Sequence, residues 1–327
     1  MVIDENALDE SEPQGGFLRS RGFAVVRVVV TLAIIAGLVA KLSPDAIRET
    51  IRDANPWMLA GAALLMLLVQ ALVVIKWMVL VRARDLSIPF LQLGRVYCIG
   101  NLLSNVLPTA VGGDVYRIYR VQREAHARAA DVTMSVLYER ATGYAAMTCL
   151  GALGAAFYYG AAWVGFVAVA VAGVVALLLA YVLPRAPLPA IRDDHMLRNL
   201  LAHRRELIAV YQMSVFSLAI QALYISTIAL AGRSFGIHVS WWYWAFSTWV
   251  VALALLLPIT LGGLGIRESS FSVLLQRAGA TAAQGASTGF ALGLLLVFAN
   301  GIGLLLIEAV ERTGVAERYA EPAVSET

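Results

Sequence analysis

Charge is scarce in this chain. Only 14% of its 327 residues are Asp, Glu, Lys or Arg, against 60% hydrophobic. That balance excludes an ordinary soluble domain. The net charge is only +3, so bulk charge gives no reason to expect a nucleic-acid partner. Cysteine is nearly absent. Cys98 and Cys149 both lie in apolar runs, and the four histidines are scattered, which argues against a disulfide framework or a metal site. No G-x-x-x-x-G-K-[ST] occurs, so no nucleotide-driven pump is encoded, and no H-E-x-x-H appears. No soluble stretch is long enough for a separate catalytic domain. No catalytic residues and no cofactor are therefore expected.

What is present is apolar length. Runs at about 22–42, 57–81, 130–159, 161–183, 208–231, 241–257 and 285–310 approach or exceed the ~20 residues that cross a bilayer. Segments 88–107 and 266–279 read either as full spans or as re-entrant half-helices. The fold class is an all-α, polytopic transmembrane bundle. A polar tail at 1–21 is expected to be disordered. The membrane domain covers 22–312, and a short tail covers 313–327. No A-x-A-like site follows the first run, so it reads as a retained span.

One pattern occurs twice. Pro108 to Arg117 reads P-T-A-V-G-G-D-V-Y-R, and Pro258 to Arg267 reads P-I-T-L-G-G-L-G-I-R. Both fit P-x-x-x-G-G-x-x-x-R, 150 positions apart. Proline removes a backbone donor, and paired glycines tolerate positive φ, so each copy is expected to break a helix. Helix breaks at matching positions suggest an internal repeat lining a substrate path. The two turns are therefore expected to be neighbours.

The candidate binding residues cluster around these turns. Asn101 and Asn105 precede the first copy on one helical face. Pro108, Gly112, Gly113, Asp114 and Arg117 belong to it. Pro258, Gly262, Gly263, Arg267 and Glu268 form the second, with Glu268 placed to cap a new helix. Glu139-Arg140 sits inside the 130–159 run. One charge near the bilayer centre costs ~2.5–3.5 kcal/mol, so such residues mark a site or a structural ion pair. Both readings apply to Asp114–Arg117 and to Glu139-Arg140. Asn300 and Glu308 lie in the last run, Glu308 near enough to its end to snorkel. Trp241, Trp242, Tyr243 and Trp244 read as an interfacial aromatic anchor.

Basic residues suggest orientation. Arg82, Arg84 and Arg95, then Arg117, Arg120, Arg123 and Arg128, then five arginines within 184–206 all belong in the cytoplasm by the positive-inside rule. Two of these groups bracket 95–117, which favours a re-entrant hairpin there. The N-terminus is then cytoplasmic too. The 184–206 connection is either a solvated loop or a basic interfacial helix.

The residues N-L-L-S-N-V-L-P-T-A-V-G-G-D-V-Y-R, Y-E-R-A-T-G at Tyr138–Gly143, and L-P-I-T-L-G-G-L-G-I-R-E carry a resemblance. They are similar to the transmembrane region of lysylphosphatidylglycerol synthases, also described as flippase-like membrane proteins. The resemblance implies a multi-pass protein of the cell (inner) membrane that moves a lipid or lipid-linked intermediate with an anionic headgroup. It carries Gly112-Gly113-Asp114 with Arg117, Glu139-Arg140, and Gly262-Gly263 with Arg267-Glu268 into the expected site. The soluble aminoacyl-transfer domain of the full synthases is missing here, so synthase activity is not implied. The expected partners are a membrane lipid and a separate lipid-modifying enzyme or glycosyltransferase. Two alternatives stand beside translocation: a membrane-embedded glycosyltransferase, and a non-transporting scaffold for such an enzyme.

Overall fold

The computed structural model describes residues 44–106, 112–160, 196–256, 260 and 262–312. Expected spans at 22–42 and 161–183, both polar tails, Pro108, Pro258 and the Asn105 side chain lie outside what is described. The described residues form nine helices and no strand. These are α1 (Pro44–Arg52), α2 (Pro56–Arg82), α3 (Phe90–Val106), α4 (Gly112–Glu124), α5 (Ala129–Tyr159), α6 (Met196–Ser234), α7 (Trp241–Leu256), α8 (Ile266–Gln276) and α9 (Ala282–Arg312).

Local chemistry sets several boundaries. Asn55 Oδ1 accepts from Trp57 N at 3.0 Å and Met58 N at 3.2 Å, with Pro56 opening α2. This is an N-cap followed by proline at the first helical position. α5 stops at Gly160, which has φ 70°, a left-handed helix terminus. α6 is continuous from Met196, so residues 196–206 of the basic connection are helix rather than loop. α2, α9 and the 208–234 part of α6 are each long and apolar enough to cross a membrane.

Polar contacts fix which end each helix terminus occupies. Arg84, just past α2, donates to Asp131 of α5 at 2.9 Å and to Glu206 of α6 at 2.5 Å. Arg95 of α3 pairs with Glu311 of α9. Together these define a basic end. At the opposite end, Asn55 N donates to Ser234 O at 2.9 Å, and Gln284 Nε2 donates to Phe235 O at 2.8 Å. Hence α2 and α9 run toward the basic end, while α5 and α6 run away from it.

The remaining helices form two hairpins. α3 leaves the basic end, and α4 returns to it. A Cβ built on Gly113 would lie 2.0 Å from Gly100 O and 2.1 Å from Ser104 Oγ, so the two helices meet backbone to backbone. α7 leaves the opposite end and α8 returns there, because the Tyr243 hydroxyl at the start of α7 donates to Leu274 O near the end of α8. The expectation of a full span at 241–257 is therefore corrected. α7 has 16 residues, about 24 Å at 1.5 Å per residue, short of the ~30 Å hydrocarbon core. Among the described residues of segments 88–107 and 266–279, α3 (Phe90–Val106) and α8 (Ile266–Gln276) are likewise hairpin arms, not complete spans.

Two apolar clusters hold the bundle. One joins Ala62, Met66, Ile225, Ile228, Trp244, Phe271 and Leu275 toward the opposite end. The other joins Trp77, Val81, Leu93, Val96, Val121, Val132 and Val136 toward the basic end. The aromatic-anchor expectation fails for Tyr243 and Trp244, which are buried in the first cluster. Trp244 lies over Gly232, where a Cβ would come within 2.1 Å of its ring. Small residues thus admit a large ring, and the same device recurs where Gly285 and Gly289 of α9 receive the α8 backbone.

Candidate binding site at the hairpin tips

Between the two apolar clusters lies a cavity of about 390 Å³. The first hairpin contributes Tyr97, Asn101 and Ser104 of α3. The second contributes Thr260, Gly262, Gly263 and Arg267, at its turn. α2 adds Val69, Gln70, Val73 and Lys76, and α5 adds Glu139, Arg140, Gly143, Tyr144 and Met147. α6 adds Ser217, Ile220, Gln221 and Tyr224, and α9 adds Leu296 and Asn300. Hairpins entering from opposite ends therefore share one cavity, half polar and half aliphatic.

The second turn is built as its glycines suggest. Gly262, Gly263 and Gly265 have φ of 54°, 75° and 84°, conformations that strain any residue with a Cβ. Glu268 Oε2 accepts from Gly265 N at 2.6 Å, which ties the turn to the first turn of α8. The guanidinium of Arg267 rests on Gly293 of α9, where a Cβ would lie 3.1 Å from its Cζ. Arg267 has few partners. Its Nη2 reaches Gly262 O only at 3.5 Å, and its Nε stands 3.7 Å from Glu268 Oε1 without a hydrogen bond.

The first copy also separates two helices, α3 and α4, but its glycines serve differently. Gly112 and Gly113 are the first residues of α4 and neither has positive φ. Gly113 is small so that α4 can touch Gly100 and Ser104 of α3.

The charges form one chain of contacts. Arg117 is only 1% exposed. Its Nη1 donates to Glu139 Oε2 and to Asp114 Oδ1, each at 3.2 Å. Its Cζ lies 4.0 Å from the Trp77 ring centroid and 4.9 Å from that of Tyr97, a cation–π seat. Asp114 also accepts from Arg140, at 3.1 Å from Nε and 2.9 Å from Nη2. Lys76 Nζ donates to Glu139 O at 2.8 Å and Ser217 Oγ at 3.1 Å, and sits 3.7 Å from Glu139 Oε1. Four cations (Lys76, Arg117, Arg140, Arg267) face three carboxylates (Asp114, Glu139, Glu268), leaving one positive charge in excess.

Of the expected residues, the cavity gathers Asn101, Glu139, Arg140, Gly262, Gly263 and Arg267. Gly112, Gly113, Asp114, Arg117 and Glu268 stand behind it, supporting residues that border it. Asn101 Nδ2 donates to Asn300 Oδ1 at 3.4 Å, linking α3 to α9. Glu308 is exposed and pairs with Arg312 at 2.5 Å. Sequence reading overlooked Lys76 and Gln70. Lys76 carried a usable signal, since a lysine inside an apolar span marks a site by default. Gln70 carried none, because a single glutamine breaks no pattern.

Fold and site together define a multi-pass helical membrane protein with a charged cavity at mid-bundle. Residues 24–303 match the family described as the lysylphosphatidylglycerol synthase TM region, and the chain belongs to that family. No curated protein matches the chain. Its family points to a membrane lipid as substrate.

Proposed function

We propose that the protein translocates a lipid, or a lipid-linked intermediate, whose anionic headgroup rests in the mid-bundle cavity. The observation that carries this reading is the meeting of two hairpins from opposite ends at one cavity with excess positive charge. In transporters, broken helices at mid-depth supply the backbone and charge that replace a headgroup's hydration. Arg267 is the principal phosphate ligand, because it borders the cavity and is the least satisfied of the cations there. Arg140 assists from α5. Arg117 is a positioning residue, which seats Glu139 and Asp114. The aliphatic wall of Val69, Val73, Ile220, Leu255 and Leu296 suits the acyl or polyprenyl part. No nucleotide motif is encoded, so movement runs downhill or is coupled to an ion gradient.

Reconstitution tests this. Vesicles containing the protein and a fluorescent phosphatidylglycerol should move the probe between leaflets. Arg267→Lys should slow that movement roughly tenfold, the equivalent of one charge-assisted hydrogen bond of about 1.5 kcal/mol, while the yield of folded protein holds. Lysine offers a point charge where arginine offers a fork. Wild-type vesicles that move no lipid would remove the reading in favour of a scaffold role.

Orientation follows from charge. Arg82, Arg84, Arg95, Arg120, Arg123, Arg128 and Arg205 lie toward the basic end. Arg48, Arg52, Arg233 and Arg277 lie toward the other. We therefore propose that the basic end faces the cytoplasm and, with the span expected at 22–42, that the N-terminus does too, with the protein in the inner membrane. In a variant lacking both native cysteines, an impermeant maleimide applied to intact cells should label cysteine placed at Ile51 and spare cysteine placed at Arg123. The reverse pattern inverts the assignment.

A further inference from the structure

We infer that the headgroup held in the cavity is a phosphate bearing an uncharged polyol (glycerol, inositol or a sugar) and carries no ammonium group. This rests on the lipid-binding reading above and deepens it.

The first ground is the lack of a carboxylate for a ligand cation. Glu139 is the one carboxylate among the described residues bordering the cavity. Its charge is already shared between two cations, with Oε2 accepting from Arg117 at 3.2 Å and Oε1 lying 3.7 Å from Lys76 Nζ. Asp114 and Glu268 do not border the cavity, and each is engaged with arginine or backbone. An ammonium entering here would meet three cations and one carboxylate already shared between two of the site's own cations. An unpaired charge in such a place is strongly disfavoured.

The second ground is the supply of neutral hydrogen-bonding groups. Gln70 is 8% exposed and borders the cavity, and its Nε2 has no protein partner. A buried amide donor without a partner is costly unless a ligand or water completes it. Gln221 commits only a long 3.3 Å bond, to Gly143 O. Tyr144 and Tyr224 line the same space. Amides and phenols both donate and accept, which suits vicinal hydroxyls. Arg267 supplies the charge for the phosphate beside them. An aminoacylated lipid adds ammonium groups and fits this lining less well than its unmodified polyol phosphate.

The test measures binding of detergent-solubilised full-length protein to short-chain lipids. The probes are dihexanoyl phosphatidylglycerol, phosphatidylinositol, phosphatidylethanolamine and lysyl-phosphatidylglycerol, with a decyl glucosyl phosphate as a single-chain source of the same chemistry. The polyol phosphates should bind roughly fivefold or more tightly than the two ammonium-bearing lipids, because a ligand charge without a partner in the site is disfavoured. Either polyol source binding supports the class, and the tighter one identifies the source. Gln70→Glu should narrow or reverse the preference, because it adds the missing carboxylate. Equal or tighter binding of phosphatidylethanolamine by the wild type overturns this inference alone. Binding of no lipid phosphate, or Arg267→Gln binding as the wild type does, overturns the lipid-site reading together with it.

Discussion

Glu139→Gln should lower stability by about 3–5 kcal/mol, the range for removing one partner from a buried ion pair. Glu139 is 8% exposed and stands between Arg117, which is deeply buried, and Lys76, which is 2% exposed. Glutamine keeps the shape and removes the charge. Two buried cations then face each other across a neutral amide. Thermal unfolding in detergent should show a large fall in Tm. Adding Lys76→Met to the Glu139→Gln variant should restore part of the loss, because it removes one uncompensated charge. Such coupling is what a double-mutant cycle measures between contacting residues. A Tm equal to wild type would show that Glu139 is solvated and not the centre of the charge chain. The same residue has a second reading as a proton carrier, and that reading requires a stable Glu139→Gln variant that loses its response to a pH gradient.

Gly113→Ala should prevent α4 from seating on α3. The added methyl would fall 2.0 Å from a backbone carbonyl and 2.1 Å from the Ser104 hydroxyl. The carbonyl cannot rotate away as a side chain can. Overpacking of this kind costs about 1–3 kcal/mol and occasionally more. The consequence reaches the cavity, because α4 carries Asp114 and Arg117. Gly301→Ala is the control. It lies inside α9 with nothing within 4 Å of the added Cβ, and alanine is the better helix former. Lipid movement and Tm should fall for Gly113→Ala and hold for Gly301→Ala. Similar behaviour of the two would refute the tight hairpin.

Much of the fold was written locally. Apolar run length announced α2, α5, α6 and α9, since a membrane imposes its thickness on any segment that crosses it. The second motif announced its own turn, because Gly262 and Gly263 take conformations that are cheap only for glycine. Glu139-Arg140 stood out because charge in an apolar run is expensive wherever the run ends up. The arginine count around 95–117 already implied a hairpin there.

Other features belong to tertiary structure alone. The two motif copies share a spacing, yet Gly113 serves close packing and Gly263 serves a left-handed turn. No pattern of residue types separates those uses. The run at 241–257 has the hydropathy of a span, and only the contact of Tyr243 with Leu274 shows the chain turning back. A sequence indicates that Arg117 must find a partner. It does not say that Glu139, Asp114 and two aromatic rings will take up its charge and leave Arg267 at the cavity. Hydropathy and backbone preference act over neighbouring residues, so the sequence by itself determined the helices, the family and the places where helices break. Charge pairing and cavity shape depend on side chains brought together from distant segments, so packing decided which cations are spent on structure and which remain for a ligand.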